Sequence, residues 1–225
     1  MGESGLPNDP GGFSNPTGVA VDPSNPQNAF YSLFDGASAG TYRRTNGPAW
    51  SKVRSGPISG AGAGPIVSGN PGSGRWYILN VDAVADRSVD NGANWSPVAI
   101  GAGQPGFMPL TFFSIAENPF ASSNVLAGTS KGLFRSVDGG ATWNAVAATG
   151  LFATQLTAVI FSPLVNNRVF AADLGGHFYC SNDGGNAWTL RETLPAAITA
   201  VRWLNNLVFL PTDGTGVLQR DPTCP

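Results

Sequence analysis

Apolar runs of four or five residues recur along the chain, separated by turn residues such as Gly, Pro, Asn, Asp and Ser. Thr17–Val21, Ala29–Leu33 and Thr41–Arg44 form one set; Phe112–Ile115, Val125–Gly128 and Gly132–Arg135 form another. A third set is Thr157–Phe161, Arg168–Ala172 and His177–Cys180. Runs of this length, rich in Val, Phe, Tyr and Thr, predict short strands joined by tight turns. Prolines at Pro23, Pro26, Pro119 and Pro163 follow the first run of a set, where a turn accepts them and a central strand would not. No window sustains a helical period, so the chain reads as all-β.

After the third run of each set comes a fixed signature. Ser88-Val-Asp90-Asn-Gly92-Ala-Asn-Trp95, Ser136-Val-Asp138-Gly-Gly140-Ala-Thr-Trp143 and Ser181-Asn-Asp183-Gly-Gly185-Asn-Ala-Trp188 align without gaps as S-x-D-x-G-x-x-W. A worn copy ends in Gly47 and Trp50 but has Thr45 in place of the Asp. The four tryptophans are 45, 48 and 45 residues apart, the length of one four-stranded propeller blade. The signature falls where the third strand must turn into the fourth. There the Asp can accept backbone N–H groups two or three residues on, and the Gly can take a positive φ. The Ser adds a local hydrogen bond and the Trp packs a large ring on the hairpin. One carboxylate per loop is thin for Ca²⁺, so these aspartates are expected to be structural.

These repeats resemble the Asp-box (BNR) repeat, whose members include sialidases, xyloglucan-cleaving glycosidases, sortilin-type receptors, a photosystem assembly factor and lectins. The resemblance implies a β-propeller and no particular reaction. About five four-stranded blades are expected in one domain, at 17–63, 64–110, 111–156, 157–198 and 199–225, after an irregular segment 1–16. The last unit, with runs at Thr199–Trp203, Leu207–Leu210 and Gly216–Gln219, stops without a hairpin or a fourth strand. Imperfect closure, a piece of a larger propeller, and completion by a second chain all remain open.

Composition narrows the function classes. Charged residues are 12%, net charge is −2, and the only lysines are Lys52 and Lys131, which argues against a nucleic-acid surface. No apolar run reaches the ~20 residues of a membrane span. Low Lys content with many Gly, Ser, Thr and Asn suits an extracellular or secreted protein. No cofactor fingerprint exists, and one histidine, His177, cannot build a His-based metal site. Cys180 and Cys224 are either a disulfide pinning the C-terminus across neighbouring blades or buried thiols.

A second series lies between second and third runs: Asp35, Asp82, Asp173 and Asp213, with Ser130-Lys131 in the third unit. In a propeller this turn opens on the face opposite the S-x-D hairpins. The stretch Phe170-Ala-Ala-Asp173-Leu-Gly-Gly-His177-Phe-Tyr179 resembles the Tyr-Ala-Arg-Thr-Asp-Ile-Gly-Gly-Ala-Tyr-Arg segment of xyloglucanases, where the Asp is catalytic. Phe30–Tyr42 resembles it more loosely, and the resemblance makes Asp35 and Asp173 candidate acid and base; glycoside cleavage needs two carboxyl groups roughly 5–9.5 Å apart. Turn formation alone also accounts for Asp before Gly. Sialidase chemistry fits poorly, because only Glu3, Glu117 and Glu192 exist, Glu117 falls in the Asn-Pro linker, and the Phe-Arg-Ile-Pro signature is absent. Asp82, Asp213, His177, Trp76 and Trp203 are candidate ligand-binding residues, the tryptophans as sugar platforms or else as core. The sequence therefore points to a non-catalytic binding or assembly module for saccharide or protein. Its rivals are a xyloglucanase-like glycosidase and a structural subunit that self-associates through its incomplete last blade.

Overall fold

The alternation of apolar residues with turn formers produces sheets and no helix among the described residues. The structure, a computed structural model, describes residues 16–22, 24–33, 39–55, 66–68, 72–79, 84–99, 111–152 and 155–225. It is an all-β propeller chain, with five antiparallel sheets among those residues. The first holds β1 (Pro16–Val21), β2 (Ala29–Leu33), β3 (Gly40–Arg44) and β4 (Trp50–Ser55). The second holds β5 (Ile66–Ser68), β6 (Trp76–Leu79), β7 (Val84–Ser88) and β8 (Ser96–Ala99). The third holds β9 (Phe112–Asn118), β10 (Ala121–Thr129), β11 (Gly132–Ser136) and β12 (Asn144–Ala145). The fourth holds β13 (Ala158–Phe161), β14 (Val169–Ala172), β15 (His177–Ser181) and β16 (Thr189–Thr193). The fifth has three strands, β17 (Arg202–Leu204), β18 (Leu207–Thr212) and β19 (Gly216–Arg220). Two compact units organise them, Met1–Ala99 and Ile100–Pro225.

Two local expectations are corrected. Glu117 belongs to β9 and is buried, because β9 and β10 run on to a tight turn at Pro119-Phe120. The fifth sheet's first strand begins at Arg202 rather than Thr199. Ile198 bridges Thr212 and Thr199 donates to the Pro211 carbonyl, but Arg202 pairs with Phe209 one register step away. The slip at Ala200-Val201 interrupts the strand.

Period-two alternation sets the packing of the second unit. On β14, Val169 and Ala171 join a buried cluster with Leu126, Leu133 and Leu156 of the preceding blade. Phe170 and Ala172 face the other way, into a cluster with Ile198, Val201, Val208 and Leu210 of the following one. On β15, Tyr179 belongs to the first cluster, Phe178 and Cys180 to the second. The fourth sheet's two faces are thus shared with its neighbours on either side. In the first unit Phe30 of β2 packs on Trp76 of β6 with ring centroids 4.3 Å apart.

The hairpins also cross between blades. A Cβ on Gly92 would run into the Phe30 ring, and one on Gly185 would press on Leu126 and Arg135. Phe30 and Leu126 are equivalent, each the strand residue opposite the position just inside the hairpin. Arg135, immediately before Ser136, donates to the Gly184 carbonyl and to Asn186 Oδ1, both at 2.7 Å. Cys180 holds the same place before Ser181. It is joined in a disulfide to Cys224, with Cα atoms 5.7 Å apart. Among the described residues, the segment after the fifth sheet's third strand receives this link in place of a hairpin. Arg168 and Arg191 donate to the Pro222 and Asp221 carbonyls, and Arg220 pairs with Glu192 at 2.6 Å.

Candidate functional site

Three hairpins carry the S-x-D signature with one geometry. Each Ser hydroxyl donates to its Asp Oδ1 at 2.7–2.8 Å and accepts the signature Gly N–H at 2.7–2.9 Å. The Asp oxygens accept N–H groups three and four residues on, one residue further than local Asx geometry suggested: Asn94, Ala141 and Thr142, Asn186 and Ala187. Each Trp indole N–H donates to the signature Gly carbonyl at 3.0–3.1 Å. Two consecutive residues take positive φ: Asn91 and Gly92, Gly139 and Gly140, Gly184 and Gly185. The Asn94 N–H, against opposing burial, holds Asp90 at about 2. Burial pushes Asp138 up, but hydrogen bonds from Thr142, Ser136 and Ala141 outweigh it and hold the carboxyl at about 2. Asp183 is lowered by the same balance, burial opposed by Ala187, Ser181 and Asn186. These carboxylates are occupied with their own turns. Among the described residues no group of three or more His, Cys, Asp or Glu side chains could hold a metal ion.

On the opposite ends of the strands in the second unit lie the β10–β11, β14–β15 and β18–β19 turns and the connections between blades. Asp173 opens the β14–β15 turn and is 5% exposed. It accepts the His177 backbone N–H at 2.9 Å, and both its oxygens lie within 3.0 Å of His177 Nδ1. That contact engages Nδ1 and leaves Nε2 on a ring whose side chain is 37% exposed. Gly175 is required by this closeness, since a Cβ there would stand 2.9 Å from the imidazole. Tyr179 is fully buried below, and its hydroxyl has no close hydrogen-bond partner among the described residues. Burial, then the Asp173 charge, pushes the phenol up to about 12.

The remaining candidates separate. Asp35 and Asp82 lie outside the described residues. Asp213 is exposed in the β18–β19 turn. Of the two readings of Trp76 the structure shows the core one: at 2% exposure, packed on Phe30, it has no face for a sugar. Trp203 is half-buried, its ring 6.2 Å from Phe170. Phe152 and Leu174 were missed. Phe152, in the connection entering the fourth blade, is 79% exposed, and Leu174, beside Asp173, is 50% exposed. Their signal in the sequence was an apolar residue inside a turn.

No protein-family profile matches the sequence, and no curated protein matches it. Solved structures do. YCF48 from Cyanidioschyzon merolae superposes with a TM-score of 0.59 at 15% identity, over 94% of this chain and 68% of that one. YCF48 bound to D1 peptide gives 0.57 at 15% identity, over 93% and 64%. The GH74 xyloglucanase from Xanthomonas campestris gives 0.65 at 18% identity, over 94% and 37%. This chain therefore spans about two thirds of the YCF48 chains and just over a third of the xyloglucanase. At such identities the likeness is one of fold, and the chain is similar to both a peptide-bound propeller and a glycosidase propeller.

Proposed function

We propose that this chain is a non-catalytic binding module whose partner, a protein, docks on the rim around His177. The carrying observation is the engagement of Asp173. A glycosidase carboxyl must meet the glycosidic oxygen or a water beside it. Asp173 is buried, and both its oxygens are turned to the imidazole and the strand N–H. Phe152 and Leu174 stand exposed on the same rim, beside a half-exposed histidine. Apolar side chains rimmed by polar ones are the surface a protein partner desolvates. YCF48 has been seen with a bound peptide, which supports this class of partner. Burial of Trp76 weighs against a sugar platform. The Cys180–Cys224 pairing fits an oxidising compartment, extracellular or secreted.

The test has two arms. Wild-type protein incubated with xyloglucan and other β-glucans should release no reducing ends; turnover that Asp173→Asn abolishes would overturn the reading in favour of a glycosidase. Peptides selected from a displayed random library should bind in solution and lose at least about tenfold in affinity with Phe152→Ser or His177→Ala. Retention on xyloglucan oligosaccharides with no peptide selected would shift the partner to saccharide.

A further inference from the structure

The third blade differs from the other complete ones at its outer edge. Elsewhere the fourth strand pairs as far as the third strand's first residue: Gly40 with Ser55, Val84 with Ala99, His177 with Thr193. In the third blade pairing ends at Phe134 with Ala145, followed by one hydrogen bond from Val146 N–H to the Leu133 carbonyl. The chain then leaves the sheet for the fourth blade's hairpin, where Thr149 bridges Ala187 and accepts the Trp188 N–H. Gly150 fixes the departure. Its φ is +74°, and a Cβ would collide with the Trp188 carbonyl.

The divergence opens a cavity of about 650 Å³. That volume falls within the roughly 300–1,000 Å³ range of small-molecule pockets. Leu133, Val146, Ala148 and Leu151 give it an aliphatic floor continuous with the buried cluster beneath. Among the described residues no aromatic side chain lines it, and none of its walls offers a sugar ring a stacking face. Lys131 and Gln155 stand at the mouth. Lys131 is exposed and has no ion-pair partner among the described residues. It also occupies the turn that carries Asp in the other units, so the charge here is reversed. The turn is pre-shaped. Buried Thr129 accepts the Lys131 N–H at 3.1 Å and donates to the Gly132 carbonyl at 2.8 Å. Ser130 Oγ accepts the Thr111 N–H at 2.9 Å.

We infer that this cavity is a binding site for a small aliphatic carboxylate, its hydrocarbon chain on the Leu133–Leu151 floor and its anionic head at Lys131. The cavity lies at the same strand ends as the His177 rim, its Leu151 next in sequence to Phe152, but it takes a small molecule and does not depend on a protein docking there.

Sodium decanoate below its micelle concentration, titrated calorimetrically into the intact protein, tests it. Saturable one-site binding is expected. Lys131→Gln should weaken it about fivefold, as loss of an exposed ionic contact does. Ala147→Trp, at an exposed wall position, should block the cavity and abolish binding without moving the melting temperature. 1-Decanol should bind about as weakly as decanoate binds Lys131→Gln, and His177→Ala should bind decanoate like wild type. Equal affinity for decanoate and decanol, or binding untouched by both Lys131→Gln and Ala147→Trp, would overturn the assignment. So would an absence of binding up to millimolar decanoate. Selective binding of a Leu-Leu peptide carboxylate with no response to decanoate would replace the small ligand by a peptide terminus.

Discussion

Asp138 and Asp173 lie at opposite ends of neighbouring blades in one unit and solve the same problem differently. Asp138 is exposed, yet its oxygens accept the Ala141 and Thr142 N–H groups and the Ser136 and Thr142 hydroxyls, all within four residues. Asp173 is buried and gives its oxygens to one imidazole and one strand N–H. The first arrangement is self-contained and recurs in three blades. The second depends on a Gly175 flush with the ring and occurs, among the described residues, in one. Repetition marks what holds the blades together; singularity marks what a blade can do beyond that.

The comparison can be strained hardest at the hairpin tryptophan. Trp188 is 6% exposed, sits in the shared core, and ties its indole N–H to the Gly185 carbonyl. Trp188→Ala should cost about 3–5 kcal/mol by loss of buried area and creation of a cavity. Chemical denaturation would read this as a lower midpoint. A loss under about 1 kcal/mol would mean the hairpin is ornamental to the blade interface.

Next comes the covalent link that replaces the hairpin contact after the fourth blade. Cys180 and Cys224 are 44 residues apart, and closing a loop of that length stabilises by about 2–4 kcal/mol. Cys224→Ser should lower the denaturation midpoint accordingly, as should reduction of wild type with dithiothreitol. Identical unfolding curves before and after reduction would show that the arginine contacts to the tail suffice.

What the sequence disclosed follows this same division. Strands such as Ala29–Leu33 and Gly132–Ser136, and the position of every intact hairpin, were legible because their causes are local: alternation, turn residues, and a Ser, Asp, Gly and Trp at fixed offsets. The contacts that act over distance were not. Nothing in Arg135 announces that it will reach Gly184, 49 residues on. The burial of Trp76 under Phe30 depends on how two sheets meet, and the burial of Asp173 depends on the packing around its turn. The early end of β12 is likewise set by where the chain goes afterwards, at Gly150, rather than by Asn144 or Ala145 themselves.

Protonation discriminates more finely. In the folded protein Asp90 and Asp138 stand at about 2, below the ordinary 3.8. A carboxyl depressed by folding contributes stability that is complete above its unfolded value and is lost as pH falls through its folded value. Melting temperature should therefore be flat above about pH 5 and drop between pH 4 and 2. Asp138→Asn should melt lower than wild type at pH 5, and the gap should narrow towards pH 2. Parallel curves would remove the carboxylate charge from the account and leave only turn shape.

The smallest effect on folding is expected at the rim. Leu174 is half exposed and Phe152 more so, and neither belongs to a buried cluster. Leu174→Ser and Phe152→Ser should each change stability by no more than about 0.5 kcal/mol, as surface substitutions do. Thermal melts of the two variants should overlay wild type even while selected peptides lose affinity. If instead either variant unfolds as readily as a hairpin mutant, the rim's apolar residues are part of the scaffold. The division between a repeated structural face and a singular binding face would then fail on its weaker side.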